Sequence, residues 1–179
     1  MNSALLLLHG FLGAALVAHA VQKLLVFRVT GTAAYLESFG FRAPRLMAIA
    51  VIGTEFVGGI LLGLGLLLPV GAALVASTML VAARTDHRGK GWFITGSGAE
   101  FVATNAVVAI ALANAGGGRY SFDRLLGLDL SGAAWAGAAT AVAVAGATLV
   151  LSRVFRRVPG SGTRRPPVPD LARLEDAAA

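Results

Sequence analysis

The sequence predicts an all-α protein, a polytopic transmembrane helix bundle of four helices plus a fifth C-terminal transmembrane helix, and three observations carry that expectation. The 179 residues are 56% hydrophobic and 13% charged, with a mean hydropathy of +0.76, a composition that excludes ordinary soluble domains and disordered chains alike. Five apolar runs divide the chain, each long enough to cross, or nearly cross, a hydrocarbon core of about 30 Å. Thirteen of the fifteen Lys and Arg fall on one side of the membrane when those runs alternate in direction. A net charge of +6 therefore reports membrane orientation and gives no reason to expect a nucleic-acid partner. Cysteine is absent, so no disulfide framework and no thiol chemistry belongs to the chain itself.

The first run, Ala4 to Val26, contains Ala18-His19-Ala20, which has the form of a signal-peptide cleavage site. No positive charge precedes its apolar core, and the run continues through Val21, Leu24 and Leu25, so it reads as a retained first helix. His19, Gln22 and Lys23 lie at i, i+3 and i+4 and share one face. From Phe27 to Arg45 the residues are mixed, with Tyr35, Phe39 and Phe41 among charges. That pattern predicts a partly helical interfacial connector ended by Gly40 and Pro44.

The second helix, Leu46 to Leu68, lacks Lys, Arg and Pro. Its one ionisable residue, Glu55, is roughly 15 Å deep by helical rise, where a carboxylate costs at least ~2.5 kcal/mol and needs a partner or a proton. Gly58, Gly59, Leu62 and Gly63 follow on the same face and give a surface for close helix packing, so Glu55 is expected to face protein. A tight turn at Leu68-Pro69-Val70-Gly71 leads into a third helix to about Ala83. The basic loop Arg84 to Lys90 follows, with Trp92 and Phe93 as an aromatic anchor; its simplest role is topological, and His87 within it reads as a solvated surface residue. A fourth run from about Gly98 to Ala115 carries Glu100, Thr104 and Asn105. Gly116 to Gly118 closes it, and a charged turn with short helical potential follows. The fifth run, Ser131 to Ser152, is rich in Ala and Gly. The expected organisation is a four-helix domain over 1–130, an added helix over 131–157 and a flexible cytoplasmic tail over 158–179.

The basic loops and tail place the N-terminus outside and the tail in the cytoplasm; only Arg119 and Arg124 fall on the other side. The glycine-rich faces of the second and fifth helices fit internal packing or a homo-oligomer equally well.

Taken together, His19-Ala-Val-Gln22-Lys23, Gly31 to Pro44, Glu55-Phe-Val-Gly58-Gly59, Gly98-Ala-Glu100-Phe and Tyr120-Ser-Phe-Asp123-Arg-Leu-Leu make residues 4–127 resemble the DoxX family of small bacterial membrane proteins, within the larger DoxD-like group. The resemblance implies a four-helix core in the bacterial cell membrane; the fifth helix and tail exceed it. It also implies an auxiliary place in membrane redox systems. The family name comes from a thiosulfate:quinone oxidoreductase, and some mycobacterial relatives are associated with superoxide dismutase and a sulfurtransferase in oxidative-stress defence.

The candidate site is an intramembrane polar pocket of His19, Gln22, Lys23, Glu55, Glu100, Thr104 and Asn105, where the first, second and fourth helices converge. Lys23 pairs with one carboxylate and leaves the second free for a proton or ligand. The bland alternative is that these groups serve as interhelical glue. His19, Glu55 and Glu100 have ligand chemistry but lack the Glu-x-x-His spacing of carboxylate-bridged bundles, so no metal is expected. His9 and His19 share one helix and cannot clamp a haem from opposite faces. The glycines of residues 91–98 lack the Lys-Ser/Thr of a phosphate loop. Three functions stay open: an auxiliary redox or oxidative-stress subunit with a quinone or other small ligand, working with soluble or membrane redox enzymes; a small proton-coupled carrier using the same carboxylates; and a purely structural scaffold in the bilayer.

Overall fold

The computed structural model describes residues 2–154, which form helices joined by short turns. The tail expected over 158–179 lies outside the described residues. Helix α1 spans Asn2–Gln22 and continues into a π turn, Lys23–Phe27. Helices α2 (Arg28–Ser38), α3 (Pro44–Leu64), α4 (Leu68–Arg84), α5 (Glu100–Ala115), the single turn α6 (Phe122–Leu125) and α7 (Ala133–Arg153) follow. The α1 segment, α3 and α7 are long and apolar enough to cross a membrane, whereas α4 and α5, at 17 and 16 residues, reach only about 25 Å by helical rise. Large apolar side chains such as Leu7, Phe11, Val107 and Leu149 are more than half exposed, and apolar surface on that scale suits a lipid surround rather than water. The fold is an all-α membrane bundle.

Helix α1 packs along α3, α3 along α4, and α4 along both α5 and α7. Leu16, Leu62, Leu68, Val75 and Leu112 form the dry centre, with relative exposures of 2% or less. The α1–α3 contact is backbone against backbone: a Cβ on Gly13 would lie 2.3 Å from Gly63 Cα and 2.5 Å from the Gly59 carbonyl oxygen. Gly58 makes room for a side chain instead: a Cβ there would lie 2.9 Å from the Val75 Cγ2 methyl of α4. The α3 glycine face thus serves internal packing. Helix α7 joins the bundle at both ends, because Gly132 N–H donates to Asn114 C=O at 2.8 Å and Arg42 N–H donates to Val154 C=O at 2.8 Å.

Three expected boundaries move, each for a local reason. Helix α3 stops at Leu64 and not Leu68, since Gly65 (φ 62°) takes a left-handed conformation. Gly65 N–H then bonds Leu62 C=O, and Leu66 N–H bonds Leu61 C=O, both at 2.9 Å, which is a Schellman closure. Pro44 opens α3 in its first turn instead of ending the connector, as a residue without an N–H can; Gly40 (φ 102°) alone terminates α2. The first helix breaks at Arg28, whose φ of 59° and ψ of 166° are rarely tolerated outside glycine. There the chain turns, and α2 folds back against α3.

At the end of the bundle farthest from this break, Asp123 caps α4 from a distance in sequence. Its carboxylate accepts from Leu67 N–H at 2.8 Å and Leu68 N–H at 3.3 Å and is 6% exposed. Helix N-termini favour such an anion. Asp123→Ala is expected to lower stability by about 2 kcal/mol, because the buried Leu68 N–H and the part-buried Leu67 N–H lose a charged acceptor. Asp123→Asn, which keeps one acceptor oxygen, should recover part of that loss in thermal unfolding of the detergent-solubilised protein.

Candidate functional site

The opposite end of the bundle holds a cavity of about 440 Å³. Helices α1 to α5 all contribute to its walls, with Val150 of α7 at one side. Leu16, Leu36, Phe39, Phe41 and Phe101 provide apolar surface, and Phe101 meets the His19 ring edge-on at 5.8 Å. The helix break at Arg28 creates the enclosure, because it lays Thr32, Tyr35 and Leu36 of α2 across the open ends of α3 and α4.

In the interior wall Lys23 Nζ donates to Glu55 Oε2 at 2.6 Å, with the side chains 24% and 7% exposed. Lys23 opens the π turn, a local widening of the helix that recurs at functional sites. The flexible Lys stem lets its ammonium reach Glu55 while its methylenes stay apolar. Above the pair, Thr54 and Thr78 approach hydroxyl to hydroxyl at 2.9 Å.

A second charged group lines the cavity. Tyr35 O–H donates to Asp86 Oδ2 at 2.5 Å, and Lys90 Nζ donates to Asp86 Oδ1 at 2.8 Å. Burial works against the Asp86 charge, but the hydrogen bonds from Lys90 and Tyr35 and the nearby Lys90 and His87 outweigh it and hold the carboxyl below its ordinary value. His87 Nδ1 lies 2.7 Å from the Ser97 carbonyl, which ties the same turn to the segment before α5.

Of the residues expected at the site, His19, Lys23, Glu55 and Asn105 line this cavity. Gln22 and Thr104 are exposed on the outer surfaces of α1 and α5 and do not line it. Glu100 is displaced for a clear reason: α5 begins at Glu100 itself and not at Gly98. Its carboxylate sits at the helix entrance and accepts from Ile94 N–H at 3.0 Å, so it is not the second carboxylate of the pocket. Asp86 holds that place. Asp86, Tyr35 and Thr32 carry a weak sequence signal, since a Tyr in an amphipathic connector and an Asp in a basic loop read as surface residues. No three His, Asp or Glu side chains gather to hold a metal among the described residues.

Residues 4–88, from α1 through α4 to the turn carrying Asp86, match the DoxX family model. This segment is a DoxX domain. The matched segment supplies Lys23, Glu55, Tyr35 and Asp86; Glu100-Phe101 and the Tyr120 segment lie beyond it. The DoxX segment thus contains both carboxylates of the cavity, while α5 and α7 complete its wall. No curated protein and no solved structure matches the chain.

Proposed function

We propose that this DoxX protein is an auxiliary membrane subunit of a redox or oxidative-stress system and holds a small ligand in the cavity beside Lys23–Glu55. The observation that carries the reading is an ion pair, with Glu55 7% exposed, in the wall of a 440 Å³ chamber. Small-ligand sites commonly enclose about 300–1,000 Å³, mostly apolar with a few placed polar groups. Ionisable groups inside a membrane bundle are costly and rare, and those that are kept mark functional sites. Quinone is the ligand suggested by the family, and the residues fit one: aromatic rings form flat walls, and the buried Thr32 hydroxyl lacks a partner among the described residues. When bound, a quinone supplies electron carriage, which a chain without cysteine cannot provide. Redox enzymes in the membrane or at its surface would be the partners. The positive-inside pattern supports a cytoplasmic mouth, with the N-terminus outside.

A carrier would need the chamber to open at both ends. The lining stops at Leu16, Glu55 and Asn105, and beyond them α1 and α3 touch through Gly13, Gly59 and Gly63. That closure is what a binding chamber requires, and a carrier would have to part α1 from α3 at these glycines to open the other side. In a strain lacking the chain, complementation with Glu55→Gln should give wild-type membrane insertion without restoring oxidant tolerance. Full protection by the inserted variant would remove Glu55 from the site.

A further inference from the structure

Resting on the small-ligand reading above, we infer that the cavity takes an uncharged ligand, one of whose oxygens hydrogen-bonds to Thr32 Oγ1. Two independent observations lead there. The first is charge: the carboxylates facing the cavity already have counterions, Glu55 in Lys23 at 2.6 Å and Asp86 in Lys90 at 2.8 Å, with Tyr35 as a further donor, and the His19 imidazole in the lining packs edge-on against Phe101. An anion or cation entering this chamber would be desolvated without a free opposite charge to receive it, which is strongly unfavourable in so apolar a surround. The second is Thr32, a residue of the cavity lining that is 6% exposed and whose buried hydroxyl, reachable by a ligand once the side chain turns about χ1, has no hydrogen-bond partner among the described residues.

Its isolation has a backbone cause. Helical Thr hydroxyls ordinarily bond the carbonyl three or four residues back, as Thr54 does to Val51, Thr78 to Leu74 and Thr85 to Val81. Four residues before Thr32 stands Arg28, whose ψ of 166° turns its carbonyl off the helical direction. The same break that folds α2 over the cavity thereby withholds the acceptor four residues back, the one that Thr78 and Thr85 use. A buried hydroxyl left unpaired costs free energy that a ligand oxygen would recover.

The test is calorimetric titration of the full chain in nanodiscs, with empty nanodiscs subtracted for partitioning, using menadione, an uncharged naphthoquinone, and naphthoquinone sulfonate, its charged counterpart. Wild type is expected to bind menadione at least about tenfold more tightly than the sulfonate. Thr32→Val, nearly equal in shape, should weaken menadione binding about five- to tenfold without lowering thermal stability, and Thr32→Ser should retain the affinity. Equal or tighter sulfonate binding overturns the uncharged class. Unchanged menadione affinity in Thr32→Val overturns the hydrogen bond. Absence of binding by either probe overturns the small-ligand reading itself.

Discussion

Alanine at Gly13 is expected to be among the most damaging single substitutions in this protein, although it adds one methyl group. The new Cβ would stand 2.3 Å from Gly63 Cα, 2.4 Å from Gly63 N and 2.5 Å from Gly59 O, all backbone atoms that cannot move aside by changing rotamer. Relief requires α1 and α3 to separate, which opens the contact along Leu12, Leu16 and Leu62. Overpacking of a tight core costs about 1–3 kcal/mol, and a clash with backbone belongs at or above the upper end. Helix propensity works the other way and returns up to about 1 kcal/mol for Gly→Ala. Gly10 in the same helix and Gly53 in α3 isolate that term, because a Cβ at either meets nothing within 4 Å. Gly10→Ala and Gly53→Ala should therefore match or exceed the wild-type melting temperature in detergent, whereas Gly13→Ala falls well below it. A Gly13→Ala protein as stable as Gly10→Ala would mean that the two helices do not touch here.

That contact shows what was legible in the sequence. The glycines of α3 announce themselves by their three- and four-residue spacing beside Glu55, and they do pack against α1 and α4. Their counterpart, Gly13, stands in a run of Leu and Ala with nothing to distinguish it from Gly10, which faces open space. Spacing identifies a surface made for close approach but cannot say which glycine on another helix will meet it. The number and order of apolar helices were readable because hydrophobic length is a property of each segment alone. The α3–α4 turn was misplaced by a few residues because Pro69 draws attention, while the left-handed Gly65 that ends α3 lies inside an apolar stretch.

The site divides along the same line. Lys23 and Glu55 were legible because each is a charged group set in an apolar run, and such a group needs a partner; the structure places them 2.6 Å apart. The Tyr35–Asp86 bond joins residues 51 positions apart and depends on the chain turning at Arg28. A positive φ is uncommon outside glycine, so nothing about an arginine at this place announces the turn. Glu100 illustrates the reverse error: Gly98 to Ala115 reads as one apolar run, yet the helix begins only at Glu100, and two residues of difference place a carboxylate at the helix entrance.

The Lys23–Glu55 pair is expected to be asymmetric when broken. Lys23→Met leaves a carboxylate that is 7% exposed without a counterion. Glu55 is fixed mid-helix on α3, with a side chain too short to carry its charge to the membrane surface. Removing one partner of a buried pair typically costs about 3–5 kcal/mol. Glu55→Gln strands the ammonium instead, but Lys23 is already 24% exposed, sits at the end of its helix and has a long stem that can redirect the charge toward the interface. Its cost should be about half as large or less. The double variant Lys23→Met/Glu55→Gln removes both charges, and its stability should return most of the way to wild type, since a buried pair contributes little net stability against a neutral replacement. Thermal unfolding of the four proteins in one detergent measures the cycle. Additive losses in the double variant would show that the two charges do not act as a pair, whereas recovery of stability without recovery of oxidant tolerance would mean that the pair is kept for what it does in the cavity and not for holding α1 to α3.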